Sequence, residues 1–213
     1  MNILVLTSTI INIDKEAEMY EAKKFSSIRE LDGISERTMT EHYKLYEGYV
    51  KKWNEIIGEL REVDLASANQ ISSKFRALSV EMTFALSGIK NHEVYFGLLG
   101  GSGEQPSGKL LERLTKDFGS YESWKDIFTA AGMAARGWAH LVWDRDLERL
   151  LVIVGDSQNT YLNWNSVPLV ALDVYEHAYF IDYGVKRADY VTAFFKNIDW
   201  SVVEKQFAAV SVR

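Results

Sequence analysis

Two residues late in the sequence, Asp173 and His177, have a spacing that could bind a metal ion. They are four positions apart in Asp173-Val-Tyr-Glu-His177. If a helix begins where the preceding strand ends, both side chains point to the same side and can share one ion. Taken alone, this spacing more often gives a simple hydrogen bond, so a metal site needs further ligands.

The other three histidines, at positions 42, 92 and 140, are the remaining candidates. His42 is expected on the apolar side of a long helix and His92 near the end of a second helix, where a lone histidine is more typical of a satisfied core imidazole. No histidine has Glu-x-x-His spacing, which argues against a di-iron carboxylate bundle, and the metalloprotease pattern His-Glu-x-x-His is also missing. Because cysteine is absent, imidazole, carboxylate or water must hold any metal.

The elements that must position these residues begin with a predicted helical hairpin. Apolar residues recur at helical spacing over 16–86, with a break at 31–35 and a second turn at 64–69. Ser35 can cap a first helix that runs on to Ile57, and a second helix is expected from about Ser67 to Leu86 or beyond. The segment 98–108 is dense in glycine and proline, so we place the domain boundary there, giving units 1–99 and 100–213.

The second unit is predicted to mix helices with a small sheet. Helices are expected over 109–118 and 120–135, strands over 138–143, 149–154 and 167–174, and a final helix over 189–195. A tight connection through Asp144-Arg-Asp joins the first two strands, which favours antiparallel pairing. The fold class is therefore α+β: an N-terminal α-helical hairpin followed by a C-terminal α+β domain with a small, about three-stranded antiparallel sheet.

Composition narrows the partners and the location. The formal net charge is −6 and the basic residues are scattered, which disfavours nucleic acid. The apolar start MNILVLTSTIIN has no basic leader region or cleavage site and is too short to span a bilayer, so we expect no membrane partner and a cytoplasmic protein.

Several motifs together resemble the iron/manganese superoxide dismutases. Asp173-Val-Tyr-Glu-His-Ala-Tyr179 is close to that family's Asp-x-Trp-Glu-His-Ala-Tyr signature. The other landmarks follow in the family's order: Thr38-Met39-x-x-His42, Tyr49-Val50-x-x-x-Asn54, Asn91-His92, Leu99-Gly-Gly, Gly137-Trp138-Ala139, Ser157-Gln158-Asn159 and Lys186-Arg187-x-Asp189-Tyr190. The resemblance covers about residues 25 to 200.

The resemblance implies a superoxide dismutase with one manganese or iron ion per subunit. The ion would be held by His42, His92, Asp173 and His177, which leaves His140 aside, and it would cycle between M(III) and M(II) with superoxide as the substrate. Catalytic roles near the metal-bound solvent fall to Gln158 and Tyr49. In the family, this glutamine comes from one of two segments; the other position here is Gly88, an arrangement that resembles the manganese or dual-metal branch.

The sequence departs from the family around the expected ligands. Tyr49 follows His42 by seven residues, one fewer than is usual, a spacing that keeps both on one face of a regular helix. The family's usual bulge of one residue would then be absent. Tyr46 stands where the family commonly has a histidine, and Phe180 stands where that histidine often meets a tyrosine hydroxyl of the neighbouring subunit. Tyr175 replaces a tryptophan, and His140 replaces the second tryptophan of a Gly-Trp-Ala-Trp motif whose first is Trp138.

The resemblance also implies an assembly. Glu176 matches a residue that reaches across a twofold interface to a ligand histidine, which predicts a homodimer, with assembly into a homotetramer left open. Arg187 and Lys186 are candidates for a local basic funnel that attracts superoxide, although a solvated surface pair is the alternative. Two other functions stay open: a non-catalytic module with this fold, and a metal-bound protein with altered redox activity.

Overall fold

Two long helices form the N-terminal half of the protein, seen in a computed structural model that describes residues 19–160 and 163–211. Helix α1 spans Glu36–Arg61 and begins as predicted at Ser35, whose Oγ accepts a hydrogen bond from the Thr38 amide. Helix α2 spans Lys74–Leu98, so its predicted start near Ser67 was wrong. Residues Leu65–Ser67 form a short 3₁₀ helix instead, because the Asp64 carboxylate caps the Ala66 amide.

A non-helical segment, residues 20–27, crosses both helices of the hairpin; we call it the N-terminal strap. The predicted helical periodicity fails here because the strap's backbone is paired with distant side chains. The Tyr20 amide donates to Asn54 Oδ1 of α1, and Asn54 donates back to the Tyr20 carbonyl. Ser27 Oγ donates to the Phe96 carbonyl of α2. Residues 16–18 of that prediction lie outside the described part of the chain.

The C-terminal half has two helices, α3 (Gly108–Phe118) and α4 (Tyr121–Ala134), followed by a three-stranded antiparallel sheet. Its strands are β1 (Trp138–Asp144), β2 (Arg149–Gly155) and β3 (Ser166–Asp173). The order is β2-β1-β3, so the fully buried β1 lies in the middle. The register places Trp138 between Gly155 and Asp173. This confirms the predicted fold class.

Within the described residues, three α-helices and one short 3₁₀ helix follow the sheet where the sequence predicted one helix. The α-helices are α5 (Phe180–Tyr183), α6 (Arg187–Lys196) and α7 (Trp200–Val210). The chain turns between α6 and α7 because the Asn197 side chain donates to the carbonyls of Ala193 and Asp32, and Asp199 then caps α7. Helix α7 was missed, although Asp199 is a residue type typical of a helix start.

Helix α2 packs against β3, which brings the hairpin onto the sheet. The glycine-rich connection between the halves lies against the end of α6, since the Gly100 and Gly101 amides both donate to the Asn197 carbonyl. A Cβ atom at Gly101 would lie 2.4 Å from Asp199 Cα, so only glycine fits this close approach. The exact division into units 1–99 and 100–213 stays a prediction. Within the described ranges, no helix has the combination of length and apolarity that crossing a membrane requires.

Candidate metal centre

One ring nitrogen of His92, Nε2, is buried without a hydrogen-bond partner among the described residues. Its Nδ1 donates to the Gly88 carbonyl one turn earlier in α2, at 2.6 Å. A neutral imidazole carries only one N–H, so Nε2 keeps a free lone pair. That Nε2 is buried, has no hydrogen-bond partner among the described residues, and lies 3.6 Å from Asp173 Oδ2. A lone pair placed beside a carboxylate oxygen in this way is what a metal ligand requires.

Two more histidines approach the same carboxylate oxygen. His42 Nε2, from α1, and His177 Nε2 each lie 3.1 Å from Asp173 Oδ2. The other oxygen, Oδ1, accepts from the Tyr175 amide, and the Asp173 carbonyl accepts from Tyr190 Oη at 2.9 Å. These bonds fix the carboxylate so that only Oδ2 faces the three rings.

No α-helix begins at Asp173, so the condition under which the spacing would place both side chains on one side is not met, although the two side chains do meet. Asp173 is the last residue of β3, and His177 lies in the 3₁₀ helix Glu176–Ala178. The bond from the Tyr175 amide to Asp173 Oδ1 bends the chain into a turn, which takes the place of an α-helical turn. His177 therefore reaches the aspartate through a turn and a tight helix.

The spacing of these atoms fits a single ion. One ligand atom from each of His42, His92, Asp173 and His177 lies within 4.8 Å of the others, and the cluster could hold one metal ion. Ligand atoms about 2.1 Å from an ion lie about 3.0 Å apart at a right angle and about 3.6 Å apart at 120°. The contacts of 3.1, 3.1 and 3.6 Å match these separations.

The charges also fit a metal. Burial lowers the pKa of His42, and burial lowers the pKa of His92 to about 3, so both rings are neutral near pH 7. Burial opposes ionisation of Asp173, but the charge of His177 and the hydrogen bonds of His177 and His42 outweigh it and hold the aspartate's pKa below its usual value. Burial lowers the pKa of His177, but the charge and hydrogen bond of Asp173 outweigh this and raise it, so a metal would displace a proton there. The neutral rings of His42 and His92 beside an ionised carboxylate already have the protonation states that metal binding needs.

Gln158 and Tyr49 lie next to this cluster. Gln158, almost fully buried, accepts from Trp138 Nε1 at 3.1 Å and donates to Tyr49 Oη at 3.2 Å. The Tyr49 ring centroid is 5.4 Å from that of His92, and the Trp138 ring meets His92 edge-on at 5.1 Å. Helix α1 is α-helical without interruption, as the seven-residue spacing from His42 to Tyr49 predicted.

Comparison with known proteins agrees with this geometry. The family model for the alpha-hairpin domain of iron/manganese superoxide dismutases matches residues 31–100, and the model for the C-terminal domain matches residues 106–206. This chain belongs to the iron/manganese superoxide dismutase family.

Relatives within the superoxide dismutase family carry both metal names. Superoxide dismutase [Fe] of Aquifex pyrophilus is 42% identical over 193 residues, which cover 88% of this chain and 90% of the relative. The [Fe] enzyme of Aquifex aeolicus is 43% identical over 83% of this chain and 85% of its own length. Superoxide dismutase [Mn] 2 of Haloferax volcanii is 41% identical over 78% of this chain and 83% of its own length.

Where this chain departs from the superoxide dismutase pattern, the structure shows new partners. Tyr46 is fully buried and its hydroxyl bonds within its own chain, accepting from the Lys23 amide at 2.8 Å and donating to Glu93 Oε1 at 3.1 Å. Tyr175 stacks on His177, with ring centroids 5.4 Å apart. Phe180 is half exposed. The Tyr46 hydroxyl is therefore satisfied within its own chain, and Phe180 offers it no hydroxyl.

Two residues expected at the subunit interface or the entrance differ in exposure. Glu176 is exposed on the 3₁₀ helix that carries His177. Arg187 is half buried, with its guanidinium donating to the Ala135 carbonyl and to Tyr179 Oη. Its guanidinium is therefore partly engaged in holding the fold, and its predicted role in attracting substrate stays a prediction.

Sequence reasoning missed Asn91 and Tyr190 as residues of the site. Asn91 donates to the Gln158 carbonyl, and Tyr190 to the carbonyl of Asp173. Both residues belong to motifs that the chain shares with the family, but their neighbours in the sequence do not indicate their hydrogen-bond partners. The position of Asn91 directly before a ligand candidate was the available signal.

Proposed function

We propose that this protein is a superoxide dismutase that uses one iron or manganese ion held by His42, His92, Asp173 and His177. The observation that carries the proposal is the buried, unbonded Nε2 of His92 beside the Asp173 carboxylate, completed by two further imidazoles. Membership of the family and the names of the relatives support the reaction. In it, two superoxide ions and two protons yield dioxygen and hydrogen peroxide.

When bound, the ion would supply the one-electron redox chemistry, and the chain's own residues control protons near it. His177 is the one ligand candidate whose side chain reaches solvent within a single chain, at 27% exposure, and it lies on the surface proposed below for the dimer. Burial and the charge of Asp173 raise the pKa of Tyr49, so its phenol keeps its proton at neutral pH. The hydrogen bond from Gln158 orients that phenol near the cluster, where it can hold a proton for the peroxide product.

The protein is proposed to work with either metal. Relatives named for iron and for manganese are almost equally similar to it, at 42% and 41% identity. The glutamine comes from position 158 and position 88 is glycine, which favours the manganese or dual-metal branch. The charge and hydrogen bonding around the ligands tune such a choice as much as the ligands themselves do.

Assembly and location complete the proposal. The exposure of Glu176 and Phe180 beside His177 supports a homodimer formed through this surface, with Glu176 bonded to His177 of the partner chain. A cytoplasmic location stays a prediction from sequence; the lack of cysteine means that the fold needs no oxidising compartment.

Metal analysis combined with a superoxide-consumption assay tests the function. Protein purified from iron-limited and from manganese-limited cultures should hold about one ion per chain and consume superoxide. Asp173→Asn should lose both properties. Asp144→Asn is the matched control, because Asp144 is a buried acid at the end of β1 that bonds Ser166 instead of the histidines.

The two open alternatives give different results in the same experiment. Wild-type protein without bound metal would point to a non-catalytic module. Metal bound without superoxide turnover would point to other redox chemistry at the same site. Either result would overturn the proposal.

A further inference from the structure

Helix α2 holds the loop that carries Gln158 through a hydrogen bond to its main chain. Asn91 Nδ2 donates to the main-chain carbonyl of Gln158 at 3.0 Å, and Asn91 is only 6% exposed. The side chain of Gln158 makes its own bonds, to Trp138 and Tyr49, on the metal side. Asn91 therefore fixes the backbone from which the side chain of Gln158 extends.

His140 holds the other end of the Asn91 amide. A carbonyl can only accept, so the amide nitrogen of Asn91 must face Gln158 and its Oδ1 must face His140. His140 Nε2 lies 3.3 Å from that Oδ1 and must therefore carry the proton that makes the bond. Both residues are buried, so each lost partner would leave an unsatisfied polar atom.

We infer that Asn91 and His140 are positioning residues for Gln158: His140 orients the Asn91 amide, which holds the main chain at 158 and so the bridge between Trp138 and Tyr49. Neither residue touches the metal ligands through a hydrogen bond in the described structure. The inference rests on the proposed function only in giving Gln158 a role in the reaction.

A cavity beside His140 shows that packing alone does not hold the ring. About 230 Å³ of space lies between α2 and the sheet, lined by residues that include Ser87, Asn91, His140, Val142, Ile153 and Pro168. The Trp138 ring stacks on one side of His140, with centroids 5.9 Å apart. With open volume nearby, the bond to Asn91 is the directional contact that sets the position of the imidazole.

Hydrogen exchange followed by mass spectrometry, on peptides covering residues 155–160, tests the inference in the full-length protein as purified. The amides of Asp156 and Ser157 both donate to Thr160 Oγ1, so they report on opening of this loop. His140→Phe keeps a ring but removes the donor. It should speed exchange there roughly fivefold, the effect of losing about one net hydrogen bond. Superoxide turnover should fall about tenfold with metal content unchanged.

Three further variants separate positioning from packing. His140→Gln places an amide donor near the position of Nε2 and should restore both slow exchange and turnover. Val142→Ala enlarges the same cavity without touching Asn91 and should leave both as in wild type. Asn91→Ala removes the link from its other side and should reproduce the His140→Phe result, which covers the case in which His140→Phe does not fold.

The inference is overturned if exchange at 155–160 is unchanged in His140→Phe and Asn91→Ala, or if Val142→Ala speeds it equally. Exchange is measured independently of turnover. A wild-type protein without superoxide activity would therefore refute the proposed function while the exchange result still decides whether the pair positions the loop.

Discussion

At the scale of single residues, the histidines differ in which ring nitrogen the protein itself uses. His92 gives Nδ1 to a carbonyl of its own helix, which leaves Nε2 free beside Asp173. His140 uses Nε2 for Asn91 and has no partner for Nδ1 within the described ranges, with no carboxylate bonded to either nitrogen. The same residue type is thus prepared for a metal in one place and for a hydrogen bond in the other.

Buried His140 should make stability depend on pH. Burial lowers its pKa to about 4, whereas a histidine in an unfolded chain has a pKa of about 6.5. Between these values the unfolded chain therefore binds more protons than the folded chain. His140 does not lower the unfolding free energy above about pH 6.5, but it lowers that free energy increasingly as the pH falls towards 4.

His140→Gln should remove this dependence. Between pH 7 and about pH 5 the wild type should lose roughly 2 kcal/mol more unfolding free energy than the variant, as measured by urea denaturation. The three histidines proposed as metal ligands are present in both proteins, so their contribution cancels in the difference. Parallel pH profiles would contradict the assignment of a neutral, buried His140.

At the scale of elements, the N-terminal strap holds the two hairpin helices together through Glu93. Its carboxylate accepts from Tyr20 Oη at 2.7 Å and from Tyr46 Oη, and it pairs with the Lys23 ammonium. The Glu93 side chain is only 13% exposed, so these bonds are partly shielded from water. Glu93 directly follows His92, so the strap also restrains the turn of α2 that carries this ligand candidate.

Replacing Glu93 should lower the unfolding free energy far more than replacing an exposed acidic residue that also links α1 to α2. Glu93→Ala leaves two tyrosine hydroxyls without their acceptor and should lower the unfolding free energy by about 1–3 kcal/mol. Glu59→Ala is the matched control, since Glu59 also joins α1 to α2 through an ion pair with Lys74, but with both side chains more than half exposed. Its loss should cost about 0–1 kcal/mol. Urea denaturation at equal metal content would measure both, and equal losses would argue against a structural role for the strap.

At the scale of the whole molecule, the candidate ligands come from both halves of the chain. His42 and His92 lie on the hairpin helices, whereas Asp173 and His177 follow the third strand. An ion bound by all four joins the hairpin to the sheet. Because the unfolded chain has no such cluster, metal binding should stabilise the native state by mass action.

Removing the metal with a chelator should therefore lower the thermal midpoint. An ion at a thousandfold excess over its dissociation constant adds about 4 kcal/mol of stability. Added metal should not raise the thermal midpoint of the His177→Ala variant. In the control variant, Asp144→Asn, added metal should raise the midpoint as it does in the wild type. Scanning calorimetry with and without added metal measures this, and a midpoint in the wild type that metal does not change would contradict it.

Features that depend on residues close together in the sequence could be predicted, whereas features that depend on distant residues could not. The start of α1 depends on Ser35 and Thr38, which are neighbours, and the strands depend on local residue types, so both were found. The strap was misread as helix because its backbone partner, Asn54, lies 34 positions away. The spacing of Asp173 and His177 made them ligand candidates, but the set of four was assembled only from the resemblance. The hydrogen bond from Asn91 to Gln158 joins residues 67 positions apart, and no local pattern could reveal it.

One contact described by the structure restricts which side chains position 88 accepts. A Cβ atom at Gly88 would lie 3.0 Å from two ring carbons of Tyr49, closer than a relaxed carbon contact of about 3.5–4.0 Å. A glutamine at 88 would therefore require the Tyr49 ring to move by a few tenths of an ångström. That movement would shift the phenol to which Gln158 now donates, so a glutamine cannot be added at 88 without altering the bond that the one at 158 makes.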